Sequence, residues 1–222
     1  NMRTIVREHQ STWQDNSPEM QFLSDGKRFV WESEKTGWRQ YELRHIDGRM
    51  LTTLTEGRFP ARRIVKVDEK NGYLYYTARS GPNPLCEYLH RVKLNGTGQR
   101  RITPIAGDLN YSRINMSPNG KWFVARRESV EQPPATLLFS TEGEFVSDLA
   151  NGAEIKNTRT ELFSFTAADD TTILYGYLHK PADFDPAKEY PLIVSVYGGP
   201  GSGSVSNRYR EGYKTYNEKG YL

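Results

Sequence analysis

The sequence predicts a mainly β fold: a partial β-propeller of about three four-stranded antiparallel blades, followed by the opening of an α/β domain. Three observations carry this. Turn signals recur with one period over the first two thirds of the chain, the hydrophobic pattern inside each period alternates every second residue, and near residue 152 both patterns stop.

The repeat has three markers. Asp25-Gly26, Asn71-Gly72 and Asn119-Gly120 each precede an aromatic strand, and the glycines fall 46 and 48 residues apart. A second turn recurs at Asp47-Gly48, Asn95-Gly96 and Glu142-Gly143 with spacings of 48 and 47. Leu54-Thr55, Ile102-Thr103 and Leu149-Ala150 close the units at the same spacing, and Gly57, Gly107 and Gly152 follow. Asp-Gly and Asn-Gly suit two-residue hairpins because both central residues must tolerate positive φ. In 88–94, Tyr88, Val92 and Leu94 share one face while Arg91 and Lys93 share the other; Tyr41 and Leu43 against Gln40, Glu42 and Arg44 repeat this. The pattern predicts half-buried antiparallel strands. A period of this length, with strands and no helix, matches a propeller blade, and the rival reading is a sandwich with regular hairpins. The units run over about 15–57, 58–107 and 108–152, so residues 1–152 form the C-terminal blades of a propeller. Three blades cannot close a ring, so the chain is expected to be a piece of a longer protein or to assemble with further copies through its unpaired edges.

From Ala153 the architecture changes, and 153–222 is read as a linker followed by the first strands and first helix of a second, truncated domain. Glu161–Thr166 and Thr172–His179 predict a hairpin. After a loop rich in Pro and Asp, Leu192–Tyr197 has apolar residues on both faces, as in a strand buried inside a sheet. It ends in Gly198-Gly-Pro-Gly-Ser-Gly203. Asn207–Lys219 predicts a helix with Tyr209, Tyr213 and Tyr216 on one face, Gly220 its stop and Tyr221-Leu222 the start of another strand.

The order of these pieces carries a resemblance. Three blades, then Pro181, Phe184, Asp185 and Pro186, then Tyr-Pro-Leu-Ile-Val at 190–194 and Val-Tyr-Gly-Gly-Pro-Gly-Ser at 196–202, resemble the prolyl oligopeptidase family of serine peptidases. Ser-Glu-Lys-Thr-Gly-Trp at 33–38 and Leu-Thr-Glu-Gly at 54–57 narrow the likeness to its dipeptidyl peptidase IV subfamily. The resemblance implies that the second domain is the N-terminal part of an α/β-hydrolase. It also implies that the parent releases N-terminal dipeptides, often X-Pro, from a peptide substrate through an acyl-enzyme. It places on Tyr197 the phenol that donates a hydrogen bond to the tetrahedral oxyanion. No Gly-x-Ser-x-Gly elbow surrounds any serine, including Ser202 and Ser204, and His179 precedes them, so the Ser-Asp-His triad is expected outside this chain and the chain alone inactive. Glu32 and Glu34 imitate the acidic pair that holds a substrate amino group in this subfamily, but they lie in the wrong part of the propeller and are read as a solvated face. Around Asp15 and Asn16, where the family pattern can place an aromatic residue and an arginine, this chain has neither. The rivals are a propeller-type protein-interaction module without catalysis, and an acylaminoacyl- or oligopeptidase of the same fold.

Composition bounds the rest. The chain has 222 residues, a formal charge of +3 and one cysteine, Cys86. Its basic residues are scattered, which speaks against nucleic acid; its mean hydropathy of −0.74 leaves no membrane segment. The four histidines and Cys86 show no metal-ligand spacing, and no cofactor motif is present. One cysteine excludes an internal disulfide, and Asn1–Gln10 lacks the apolar run of a signal peptide, so the compartment stays open, a periplasmic or extracellular parent included.

Overall fold

The structure is a computed structural model, which describes residues 2–11, 13–15, 17–105, 107–152, 158–199, 203–210 and 214–222. Twelve strands form three four-stranded antiparallel meanders: β1 (Met20–Phe22) to β4 (Met50–Thr53) through β2 (Arg28–Ser33) and β3 (Gln40–His45); β5 (Ala61–Asp68) to β8 (Arg100–Arg101) through β6 (Tyr73–Ala78) and β7 (Tyr88–Lys93); and β9 (Asn110–Met116) to β12 (Phe145–Asn151) through β10 (Trp122–Glu128) and β11 (Ala135–Ser140). The fold is a partial β-propeller of three blades. A hairpin of β13 (Thr158–Thr166) and β14 (Ile173–Pro181) follows, then a short helix α1 (Lys214–Asn217). Among the described residues no helix is long and apolar enough to cross a membrane.

All six predicted turn glycines have positive φ, between 63° and 96°. The first set joins the first two strands of each blade and the second set joins the last two. The second set has a further reason to be glycine. A Cβ on Gly48, Gly96 or Gly143 would fall within 3 Å of the carbonyl oxygen of Ile5, Thr53 or Ile102, each about one repeat upstream. Each turn therefore rests on the backbone of the preceding segment. Gly96→Ala combines this clash with a left-handed backbone and is expected to cost about 1–3 kcal/mol, measured as a lowered urea midpoint at unchanged slope.

The closing marker also has a physical meaning. The Thr55 hydroxyl accepts the Tyr41 N–H at 2.8 Å and donates to Gln40 Oε1, and the Thr103 hydroxyl accepts the Leu89 N–H at 3.0 Å. Each threonine satisfies its blade's third strand where the fourth leaves it. The third unit has Ala150 there, and its fourth strand continues, with Ala150 opposite Thr136.

Blades pack face to face. One core cluster joins the first and second blades (Val30, Tyr41, Leu43, Leu74, Tyr76, Val92), and another joins the second and third (Tyr75, Tyr88, Leu89, Ile114, Phe123, Leu137, Phe139). Alternate residues of β6 serve opposite clusters. The predicted half-buried strands are therefore corrected: in β3 Gln40 and Glu42 are buried beside Tyr41 and Leu43, and in β7 every residue from Tyr88 to Val92 is buried. The polar face of a blade meets its neighbour rather than water. Its charges are paired accordingly, Glu42 with Lys35 and Arg44, and Arg91 of the second blade with Glu142 of the third at 2.6 Å.

The second region departs further from expectation. Leu192–Tyr197 is extended but forms no assigned strand, with Val194 and Val196 71% and 84% exposed. A strand apolar on both faces needs neighbours on both sides. Among the described residues a single parallel pairing forms here, in which the Leu222 N–H donates to Pro191 O and the Ile193 N–H to Leu222 O, both at 3.0 Å. Among the described residues helix is found only at Lys214–Asn217; 207–210 is irregular, and 211–213, Tyr213 included, and the 153–157 linker lie outside the described residues. Gly220, at φ 79°, ends the helix by letting the Gly220 and Tyr221 N–H groups close back on Asn217 and Tyr216.

Candidate active site: the Tyr197 turn

Tyr197 sits at the mouth of the glycine turn. The residue is 65% exposed. The phenol folds back over Gly199, where a Cβ would lie 2.5 Å from its oxygen, so a larger residue there would push the phenol out of this position. Pro200, Gly201 and Ser202 lie outside the described residues.

The approach to the turn is built from the loop before it. Tyr190 stacks on Phe184 with centroids 5.1 Å apart, and its hydroxyl accepts the Asp185 N–H at 2.9 Å. Lys180, paired with Glu161 across the hairpin, covers the Phe184 ring. Beyond the turn, Asn207 is buried against the propeller. Its Oδ1 accepts the Val130 N–H at 2.9 Å, and its Nδ2 donates to Cys86 Sγ at 3.2 Å and to the Asp108 carbonyl. Sequence reasoning missed Asn207, because nothing local marks it.

His179 does not face this turn as a free base. Its Nδ1 is 2.8 Å from the Thr160 hydroxyl, its carbonyl accepts from Asn217 Nδ2, and burial followed by the nearby Arg210 lowers its basicity. Another serine and histidine do pair: Ser80 Oγ lies 2.7 Å from His90 Nε2. His90 is buried between the Tyr76 and Phe59 rings, its Nδ1 has no hydrogen-bond partner, and burial, then Arg101, pushes it down to about 4. A base so desolvated, with no carboxylate orienting it, is a poor activator of a serine.

The reading of Glu32 and Glu34 as a solvated face is also corrected. Glu32 is buried, and its Oε1 lies 3.0 Å from Arg39 Nε. The same guanidinium is 3.2 Å from Asp15 and 3.6 Å from Glu34. Glu8, whose carboxylate accepts from Trp31 Nε1 at 3.1 Å, completes the wall of a cavity of about 140 Å³. One arginine thus faces three carboxylates. Burial, partly offset by Arg39 and reinforced by Glu19 and Glu34, raises Glu32 to about 7.

Glu32 and His90 oppose each other with pH. Above about 6.5 His90 is neutral folded and unfolded; as pH falls towards 4 only the unfolded chain takes the proton, and up to about 3 kcal/mol is lost. Glu32 contributes stability below its unfolded value near 4.5 and loses it as pH rises through about 7. Between pH 5 and 6.5, Glu32→Gln is therefore expected to destabilise progressively on acidification, and His90→Gln to gain stability over the same interval. Urea unfolding at fixed pH steps checks this; parallel profiles for both variants would refute it.

Residues 1–134 match the family described as the dipeptidyl peptidase IV (DPP IV) N-terminal region. The chain belongs to that family. Dipeptidyl peptidase 4 of Trichophyton tonsurans is 25% identical over 229 residues, covering 96% of this chain and 29% of the relative; that of Arthroderma otae is 23% identical over 93% and 28%. A Bacteroides ovatus crystal structure described as a dipeptidyl aminopeptidase IV superposes with a TM-score of 0.74 at 25% identity, over 91% of this chain and 32% of its own. Porphyromonas gingivalis dipeptidyl peptidase 4 gives 0.74 at 22% identity, over 91% and 29%, and shares the fold. The chain spans less than a third of the length of these DPP IV relatives.

Proposed function

We propose that the full-length protein is a serine-type dipeptidyl peptidase, that residues 1–152 contribute propeller blades and 153–222 the opening of its hydrolase domain, and that Tyr197 is the oxyanion donor. The observation that carries this is the placement of an exposed phenol, folded over Gly199, in the segment that follows three DPP IV-type blades and a hairpin. A serine, activated by a histidine that an aspartate orients, attacks the carbonyl carbon of the peptide's second residue. Its proton passes through the histidine to the leaving amine as the peptide bond breaks. Water then hydrolyses the acyl-enzyme and frees the dipeptide. During both steps the Tyr197 O–H donates to the carbonyl oxygen while it carries negative charge.

The test uses the purified full-length protein and Gly-Pro-p-nitroanilide beside its N-acetylated counterpart. Release from the free amine alone, blocked by a fluorophosphonate, supports the reading. Preferential release from the acetylated substrate would place the protein with acylaminoacyl- or oligopeptidases, and no release from either would leave the interaction module. The 222-residue chain alone is expected to release nothing from either substrate.

A further inference from the structure

We infer that Asn71 is a site of spontaneous chemical modification: of the four Asn-Gly pairs in the chain, it is the one that loses its side-chain amide through a succinimide, leaving aspartate or isoaspartate at the seam between the second and third blades.

A glycine after asparagine leaves the backbone nitrogen sterically open. That nitrogen gives its proton to solvent base and bonds to the asparagine Cγ, closing a five-membered ring. The Cγ–Nδ2 bond breaks, and Nδ2 leaves as ammonia with a proton from water. Water then opens the imide at either carbonyl, giving aspartate or its isoaspartyl isomer. Water is the co-reactant, and nothing is oxidised or reduced.

All four asparagines, Asn71, Asn95, Asn119 and Asn151, are exposed, so access to water does not separate them. The glycine nitrogen does. The Gly96 N–H donates to Lys93 O at 2.8 Å, the Gly120 N–H to Ser117 O at 3.0 Å and the Gly152 N–H to Pro134 O at 2.6 Å. Among the described residues the Gly72 N–H has no acceptor. A bonded nitrogen must first surrender its hydrogen bond, which slows attack about fivefold. The side chains differ as well. Asn95 Oδ1 accepts the Thr97 N–H and hydroxyl, and Asn119 Oδ1 accepts the Lys121 N–H and the Ser117 hydroxyl. Asn71 Oδ1 has no donor among the described residues; the residue is held instead by Asp68, which accepts from Asn71 Nδ2 at 2.8 Å and from its N–H at 3.2 Å. Asp68 is buried and reaches the third blade, since a Cβ on Gly120 would lie 2.5 Å from its Oδ2. Lys66 crosses the same seam to the Ser117 and Pro118 carbonyls. Conversion of Asn71 replaces the amide donor with a second carboxylate beside Asp68, so the product loosens this contact.

The test holds the folded full-length protein at mildly alkaline pH, with a parallel sample in urea above its unfolding midpoint, and quantifies aspartyl and isoaspartyl products at the four pairs by peptide mapping and mass spectrometry. In the folded protein Asn71 is expected to convert about fivefold faster than Asn95, Asn119 or Asn151. In urea, where the glycine nitrogens are alike, the four rates are expected to agree within about twofold. Asn71→Asp, which carries the charge of the product, is expected to lower the urea midpoint. Equal rates in the folded protein would overturn the inference. So would a lead for Asn71 that persists undiminished in urea, because local sequence would then explain it. An unchanged midpoint in Asn71→Asp would refute the effect on the seam.

Discussion

Tyr197→Phe in the full-length protein is expected to lower kcat by 10²–10³ with little change in KM. The substitution removes one oxygen and preserves the ring over Gly199, so the turn should keep its shape. What is lost is a donor aimed at charge that exists only in the tetrahedral state, worth about 3–4 kcal/mol for a single oxyanion donor. Binding of the substrate makes no use of that charge, which is why the loss belongs in kcat. Steady-state kinetics on Gly-Pro-p-nitroanilide measure it. A rise in KM at constant kcat would mean that the phenol holds the substrate instead, and the oxyanion role would be abandoned.

Arg39→Met is expected to cost about 1–2 kcal/mol at pH 7.5. Arg39 is the cation facing Glu32, Glu34 and Asp15, and Glu32 is buried. Truncating the guanidinium leaves a carboxylate out of water without a counter-charge. Because Glu32 already titrates near 7, acidification offers it an escape through protonation. The loss should therefore shrink at pH 5.5, and Arg39→Met combined with Glu32→Gln should recover most of it at either pH. Urea unfolding of the four proteins at both pH values is sufficient. A loss below about 1 kcal/mol at pH 7.5 would show that the cluster is solvated after all.

The blades were legible in the sequence because their turns depend on backbone chemistry that only a few residues supply. Gly26, Gly72 and Gly120 sit at φ near 60–70° and announce themselves as Asp-Gly or Asn-Gly. Burial was less legible. Period-two reasoning sees one strand and assumes that its polar side meets water, so Gln40, Glu42 and Glu32 were placed outside when a neighbouring blade or the N-terminal segment covers them. Leu192–Tyr197 departs for the opposite reason: its composition describes a strand with two neighbours, and among the described residues its backbone pairs only with Leu222. Tyr197 could be singled out because a motif surrounds it. Asn207 could not, since its partners stand 77 and 121 residues away and no local pattern links an asparagine to Val130 or Cys86.

The alternation along β6, with Leu74 and Tyr76 facing the first blade and Tyr75 the third, makes the middle sheet the keystone of the array. Either outer sheet can peel away and expose one core cluster, but the middle sheet opens only when both clusters are lost. Repeat arrays of this kind open from their ends inwards. Amide protons of β6 and β7 should therefore exchange last, close to the rate of global unfolding. A cavity cut at Tyr76 should speed exchange across the first blade while leaving the third to follow only through complete unfolding.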